Sequence, residues 1–178
     1  MKSGWVLSEL GVEAGEYLLA TAHRAGNVDD PARLAALVDV LTGMPLPVVL
    51  PLHPRTRARM QEAQLLDSLG GVIVAPPLGY LEFAALLLNC RAVLTDSGGV
   101  QKEAYLAGVP CVTMRDRTEW TETVESGWNT LVGLDADAAR AALERERPAE
   151  RPPLYGDGRA GERVVQALLA LRERAPVS

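Results

Sequence analysis

Short apolar runs rich in Val and Leu alternate along the chain with longer stretches in which apolar residues recur at helical spacing. The runs at 17–22, 48–52, 72–75, 92–95, 111–114 and 130–132 predict strands. Between them, 31–41 places Leu34, Leu37, Val38 and Leu41 on one helical face, and further helices are expected at 56–66, 81–88 and 100–107, the last ended by Gly108. Beyond Gly133 the pattern becomes a helix at 136–146, a proline-rich break at 148–153, a Gly156-Asp157-Gly158 turn and a final helix at 159–174. Strands alternating with helices over short links imply right-handed βαβ units and a parallel sheet covered on both faces. The expected class is α/β, with about six strands in one domain over 1–178.

In an open parallel sheet, ligands bind beyond the carboxyl ends of the strands. The only two histidines, His23 and His53, fall just after expected strands, and so do Ser97 and Arg115. Unusual side chains therefore gather on one rim. Composition narrows what they could meet. With 48% hydrophobic and 23% charged residues in 178, the chain can bury a good core and is not a disordered one. A net charge of −5 with scattered basic residues argues against a nucleic-acid groove or a polybasic membrane patch. No apolar stretch approaches a membrane span, and Met1-Lys2-Ser3-Gly4-Trp5 lacks a signal-peptide core, so a cytoplasmic location is expected. Cys90 and Cys111 lie in largely apolar stretches and have no zinc-type spacing; both read as buried free thiols.

The most informative stretch is Thr95-Asp96-Ser97-Gly98-Gly99-Val100-Gln101-Lys102-Glu103, where a strand feeds a glycine turn and then a helix. Two residues without Cβ let a ligand approach the backbone, and the unpaired amides of the first helical turn favour an anion. Glu103 lies about one turn into that helix, where its carboxylate can accept from a pair of hydroxyls. Phosphate donors followed by a diol acceptor suggest a nucleotide. The alternative is an ordinary tight connection with Ser97 as helix cap. The stretch matches neither the dinucleotide fingerprint nor the Walker A pattern.

Other blocks carry weaker signals. His23 could transfer a proton and Arg24 could neutralise a phosphate, although a lone histidine also serves as a cap or packs under a loop. His53-Pro54-Arg55 reads as a helix entry, with Arg55, Arg57 and Arg59 on a solvated face, or with Arg55 facing an anion. Leu78-Gly79-Tyr80, in the stiff loop after the third strand, could face a flat base, or Tyr80 and Phe83 could belong to the core. In Arg115 to Glu122, Thr118 is a candidate helix cap with acidic residues in the first turn. The charge-dense 145–151 reads as a solvated helix end. Neither a metal pattern nor a Gly-x-Ser-x-Gly elbow is present, so no metal, cofactor or serine intermediate is expected.

Taken in order, Thr21-Ala22-His23-Arg24, His53-Pro54-Arg55-Thr56, Pro77-Leu78-Gly79-Tyr80, the glycine turn, Gly108-Val109-Pro110-Cys111, Arg115-Asp116 with Thr118-Glu119, and Tyr155-Gly156-Asp157-Gly158 closely resemble the non-hydrolysing UDP-N-acetylglucosamine 2-epimerases. The resemblance covers nearly the whole chain. It implies a Rossmann-like domain, like the carboxy-terminal domain of a GT-B fold, that binds UDP or a UDP-N-acetylhexosamine. It also implies a diphosphate cradle at Ser97, Gly98 and Gly99, basic partners Arg24 and Arg115, a ribose acceptor at Glu103, a uracil contact at Leu78 and Tyr80, and an active-site histidine at His23. The family's reaction eliminates UDP to a 2-acetamidoglucal and adds it back with inverted configuration at C2. Its proton-moving carboxylates lie in an amino-terminal domain, so the resemblance implies half an enzyme, completed by a separate amino-terminal half or inactive alone, with a homodimer as a further expected partner arrangement. Gly26 stands where the family's His-Arg-x-Glu-Asn pattern has a glutamate, Lys102 where an acid is common, and Trp120 where many members carry arginine. A non-catalytic UDP-sugar module and the donor domain of a GT-B glycosyltransferase remain alternative readings.

Overall fold

The computed structural model describes residues 4–174. Its strands are β1 (Leu18–Thr21), β2 (Val48–Pro51), β3 (Val72–Ala75), β4 (Ala92–Thr95), β5 (Cys111–Thr113) and β6 (Asn129–Leu131). All pair in parallel in the order β3-β2-β1-β4-β5-β6. Its helices are α1 (Gly4–Leu10), α2 (Ala25–Val28), α3 (Pro31–Thr42), α4 (Pro54–Glu62), α5 (Tyr80–Asn89), α6 (Gly98–Ala107), α7 (Thr121–Glu125), α8 (Ala136–Glu144) and α9 (Ala160–Arg174), with a 3₁₀ turn at Leu66–Leu69. The expected strands and the α/β class are therefore present.

Alternation along each strand divides the apolar residues between two cores. Leu18, Ala20, Leu50 and Leu94 pack with Leu34, Leu37 and Leu41 of α3 on one face. Leu19, Val49 and Val93 pack with Val6 of α1, Leu86 of α5 and Ala104 of α6 on the other. Because both faces are covered, the strands read as continuous apolar runs rather than an apolar–polar alternation. Cys90 and Cys111 are buried and free in the second core, as the sequence leads one to expect.

Local chemistry sets the helix ends. The Asp30 carboxylate accepts from the Arg33 amide at 2.9 Å and Pro31 opens α3. Gly108, at φ +70°, ends α6 in the left-handed conformation. The helix expected to reach residue 66 stops at Glu62, because Gln64 takes φ +54° and turns the chain. Thr118 does not cap a helix: α7 starts at Thr121, and the Thr118 hydroxyl instead accepts from the Trp120 amide at 3.1 Å and donates to Gln101 Oε1 at 2.6 Å. The segment at 145–151 is also more than a solvated helix end. Arg151 donates to the carbonyls of Tyr105 (2.6 Å) and Leu106 (2.5 Å) at the end of α6, and Arg147 donates to the Arg91 carbonyl. The following residues lie along α6 towards its start, with the Tyr105 hydroxyl on the Pro152 carbonyl and the Tyr155 hydroxyl on Glu122 Oε1.

β1 and β4 are neighbours, and their connections leave for opposite edges of the sheet. Such a switch point opens a crevice between the two loops at the strands' carboxyl ends.

Candidate functional site

Those two loops are tied together by a residue to which the sequence reading assigned no role. Thr21 and Thr95 end β1 and β4 with their hydroxyls 2.6 Å apart, and the next residue after β4, Asp96, is fully buried. Its carboxylate accepts from the backbone amides of His23 (3.1 Å) and Arg24 (2.9 Å) and from the Asn27 side-chain amide (3.3 Å). Asn27 also donates to the Met114 carbonyl at 3.0 Å, so the end of β5 joins the same knot. A buried carboxylate is tolerated only with such donors around it, and here they shape the His23-Arg24 turn. The one-turn helix α2 follows from this arrangement rather than from apolar spacing.

A cleft of about 310 Å³ opens beside the knot. His23, His53, Leu78, Tyr80 and Glu103 line it, with Phe83 and Val100 adding apolar wall. The His23 and His53 rings lie 5.5 Å apart, and His23 Nδ1 is 3.9 Å from Asp96 Oδ1. His53 is the helix entry its sequence suggested: it precedes Pro54 of α4 and its Nδ1 accepts from the Arg55 amide at 3.2 Å. Arg55 and Arg59 turn away to Asp29, whose carboxyl Arg55 holds below the usual range. Tyr80 is exposed at the first position of α5, while Phe83 is half-buried.

Ser97, Gly98 and Gly99, together with Arg24 and Arg115, form a second cluster beside that cleft. Ser97 occupies the cap position of α6, yet its side chain makes no capping bond, so it does not compete for the first-turn amides. The face of Gly98 where a Cβ would project is covered by Trp120 Nε1, 3.2 Å from that position, and by Glu119 Oε2 at 3.7 Å. Glu119 receives both ends of the Arg115 guanidinium at 2.8 and 2.9 Å, with Arg24 3.8 Å away. The Arg115 hydrogen bonds, helped by a backbone hydrogen bond, hold the Glu119 carboxyl down at about 2. Two guanidiniums thus share one carboxylate at the positive end of a ten-residue helix. An anion placed at Gly98 would meet a surplus cation and unpaired amides.

The sequence matches, over residues 3–169, the family described as UDP-N-acetylglucosamine 2-epimerase. The chain belongs to that family. Among relatives of the UDP-N-acetylglucosamine 2-epimerase family, the UDP-2,3-diacetamido-2,3-dideoxy-D-glucuronate 2-epimerase of Pseudomonas aeruginosa is 48% identical over 87% of this chain and 45% of its own length. The crystal structure of the Methanocaldococcus jannaschii UDP-GlcNAc 2-epimerase, in complex with UDP-GlcNAc and UDP, superposes with a TM-score of 0.82 at 38% identity, over 95% of this chain and 49% of that one. A glycosyltransferase involved in avilamycin A biosynthesis shares the fold alone, at 21% identity and a TM-score of 0.59 over 92% of this chain and 53% of its own. This chain thus shares its Rossmann-like, GT-B-type architecture with both solved structures. The chain spans about half the length of the 2-epimerases it matches.

Two of the three points at which this 2-epimerase family member departs from the resembled pattern support each other. Lys102 and Trp120 touch: Lys102 Nζ sits 4.2 Å over the Trp120 ring and 4.5 Å over Tyr155, so a cation–aromatic stack holds the wall beside Gly98. At Gly26 a Cβ would meet nothing within 4 Å, so no packing replaces the absent side chain. Asp96 is the rim position that the sequence left without a role. The available signal was a carboxylate placed directly between an apolar strand and a glycine turn.

Proposed function

We propose that this chain is the UDP-binding half of a sugar-nucleotide 2-epimerase that interconverts UDP-GlcNAc and UDP-ManNAc. The supporting observation is the pairing of two sites across one switch point: an anion cluster around Gly98 and a cleft with Glu103 on its wall. In this reading Ser97, Gly98 and Gly99 cradle the diphosphate, the two glycines through their amides and Ser97 through its uncommitted side chain, since its own amide donates to the Thr95 hydroxyl at 2.9 Å, with Arg24 and Arg115 balancing the charge. Glu103 accepts from the ribose hydroxyls, and Leu78 and Tyr80 flank the uracil. In the same reading His23 donates to the departing UDP; its amide bond to Asp96 and its place on the cleft wall support that role.

The chemistry is redox-neutral and needs no cofactor. A base removes the C2 proton, the C1–O bond breaks, and UDP leaves with its electron pair to give a 2-acetamidoglucal. Re-addition of UDP with protonation at the other face of C2 inverts that centre. The carboxylates that move this proton are assigned to the half of the relatives that this chain does not span. The same reading places the reaction in the cytoplasm, feeding cell-surface polysaccharide precursors.

Calorimetric titration of the chain with UDP, followed by assay for UDP-ManNAc with and without a complementary half, tests the proposal. UDP binding without turnover alone, and turnover on addition of the other half, is the expected result. Binding with no epimerisation in either case would instead favour a non-catalytic module or a glycosyltransferase donor domain. The 48% match to an enzyme named for a diacetamido glucuronate favours one variant, a 2,3-diacetamido uronic acid as the sugar. Supplying both UDP-sugars in one competition assay separates the two.

A further inference from the structure

Among the described residues, two buried side-chain donors stand without an acceptor, the Trp120 indole Nε1 and the Gln101 amide Nε2. A donor closed off from water forfeits a hydrogen bond with nothing in return, so each calls for a reason. The two belong to one junction. Gln101 lies one turn into α6 and is fully buried. Its Oε1 accepts from the Thr118 hydroxyl at 2.6 Å and from the Asn129 side chain at 3.2 Å, and the Thr118 hydroxyl accepts in turn from the Trp120 amide. Gln101 thus pins the Trp120 backbone to α6 from inside the protein. Trp120 is only half-buried and borders the rim, so its indole is the donor that a ligand can approach.

The ring is held so that it cannot turn away. Lys102 Nζ lies 4.2 Å over one face, and the Tyr155 ring meets it edge-on at 6.2 Å. Tyr155 ends a strap of residues 151–155 that Arg151 and Tyr105 fasten along α6. So fixed, the indole nitrogen is 3.2 Å from the place where a Cβ of Gly98 would stand, and Glu119 Oε2 is 3.7 Å from the same place. Glu119 is the movable group there: its side chain is 56% exposed, against 12% for the Arg115 that grips it. An indole N–H donates and never accepts, so its missing partner is an acceptor. Lys102 on the ring, with Arg115 and Arg24 around Glu119, favours an anionic one.

We propose that Trp120 reads phosphate: an oxygen of the bound diphosphate displaces the Glu119 tip beside Gly98 and accepts from the Trp120 indole N–H. The inference rests on the reading of this chain as a UDP-binding half. It adds an uncharged donor to the glycine amides and the two arginines. Such a donor orients a phosphate oxygen without adding charge, and salt screens its contribution less than that of an exposed guanidinium. Lys102 and Gln101 are positioning residues in this arrangement, one setting the plane of the ring and the other its backbone.

The test uses the full chain labelled with 15N. Its three tryptophans give three indole N–H resonances, and W5F and W128F remove the other two, so the Trp120 signal is assigned without altering Trp120. UDP and inorganic pyrophosphate should each move that signal downfield, and uridine should leave it in place. By calorimetry, W120F, which keeps an aromatic ring and loses the N–H, should bind UDP about tenfold more weakly or worse, or about 1.4 kcal/mol, with the same ratio at low and high salt. An indole signal that stays put while UDP binds overturns the proposal. So does a shift with uridine as large as that with UDP, or a W120F chain with wild-type affinity. If UDP does not bind but pyrophosphate moves the indole signal, the nucleotide reading fails and the phosphate donor stands. If neither binds, both fall.

Discussion

Asp96 shows how one buried carboxylate can define a site. It sits 72 residues from Arg24 in sequence, yet it holds that amide, the His23 amide and the Asn27 side chain at once. Replacing it with Ala strands these donors in a buried place and should destabilise the fold by about 3 kcal/mol, because hydrogen bonds to a charged group are worth roughly 1.5–3 kcal/mol each. Asp96→Asn keeps one acceptor oxygen and should cost less; urea unfolding of both variants checks the order, and equal stabilities would refute it. Glu103 belongs to binding rather than to the fold. Glu103→Ala should weaken UDP binding by about 1.5–3 kcal/mol with little change in the unfolding midpoint, and calorimetry showing unchanged affinity would remove Glu103 from the site. His23, Arg24 and Glu103 were legible as candidates because each stands at a fixed distance from a strand end. The role of Asp96 was not, since its partners are remote in sequence and no local pattern encodes them.

Elements were legible where an apolar face or a special residue marks them. The six strands announce themselves as buried runs, and α6 ends where Gly108 takes φ +70°. A Cβ at Gly108 would be strained there and would lie 3.2 Å from the Arg151 guanidinium that covers the end of α6. Gly108→Ala should therefore lower stability by about 1 kcal/mol or more, read as a lower thermal midpoint; an unchanged midpoint would show that the strap can move aside. α2 and α7 are different. Each is a turn or so of helix, too short to show a period, and each is held by side-chain bonds to a strand end: α2 through Asn27 to the remote Asp96, α7 through Thr123 to Asn129 of the adjoining β6. Thr118 looked like a cap from its place before an acidic stretch, but its hydroxyl accepts from the Trp120 amide ahead of α7 and donates to Gln101, on a helix that sequence spacing could not bring near.

At the scale of the whole molecule, two covered faces leave both thiols without water. Burial pushes Cys90 and Cys111 up to about 12 from an ordinary value near 9. The folded state thus favours the protonated thiol. This contribution to stability is fully present below about pH 9 and is lost as pH rises from about 9 towards 12. The unfolding midpoint should accordingly fall across that alkaline range, and iodoacetamide near neutral pH should label both cysteines only in denaturant; rapid native labelling would contradict the packing. The sequence by itself determined the α/β class, the strand-helix rhythm and the family, because apolar runs, glycine turns and short motifs are local and survive without coordinates. Only the tertiary structure decided that Asp96 organises the rim, that Lys102 and Trp120 support each other beside Gly98, and that the Trp120 indole N–H stands there without an acceptor. Each of these depends on which distant segments the sheet order brings together, and contact across a fold is a property of the packed chain rather than of any window along it.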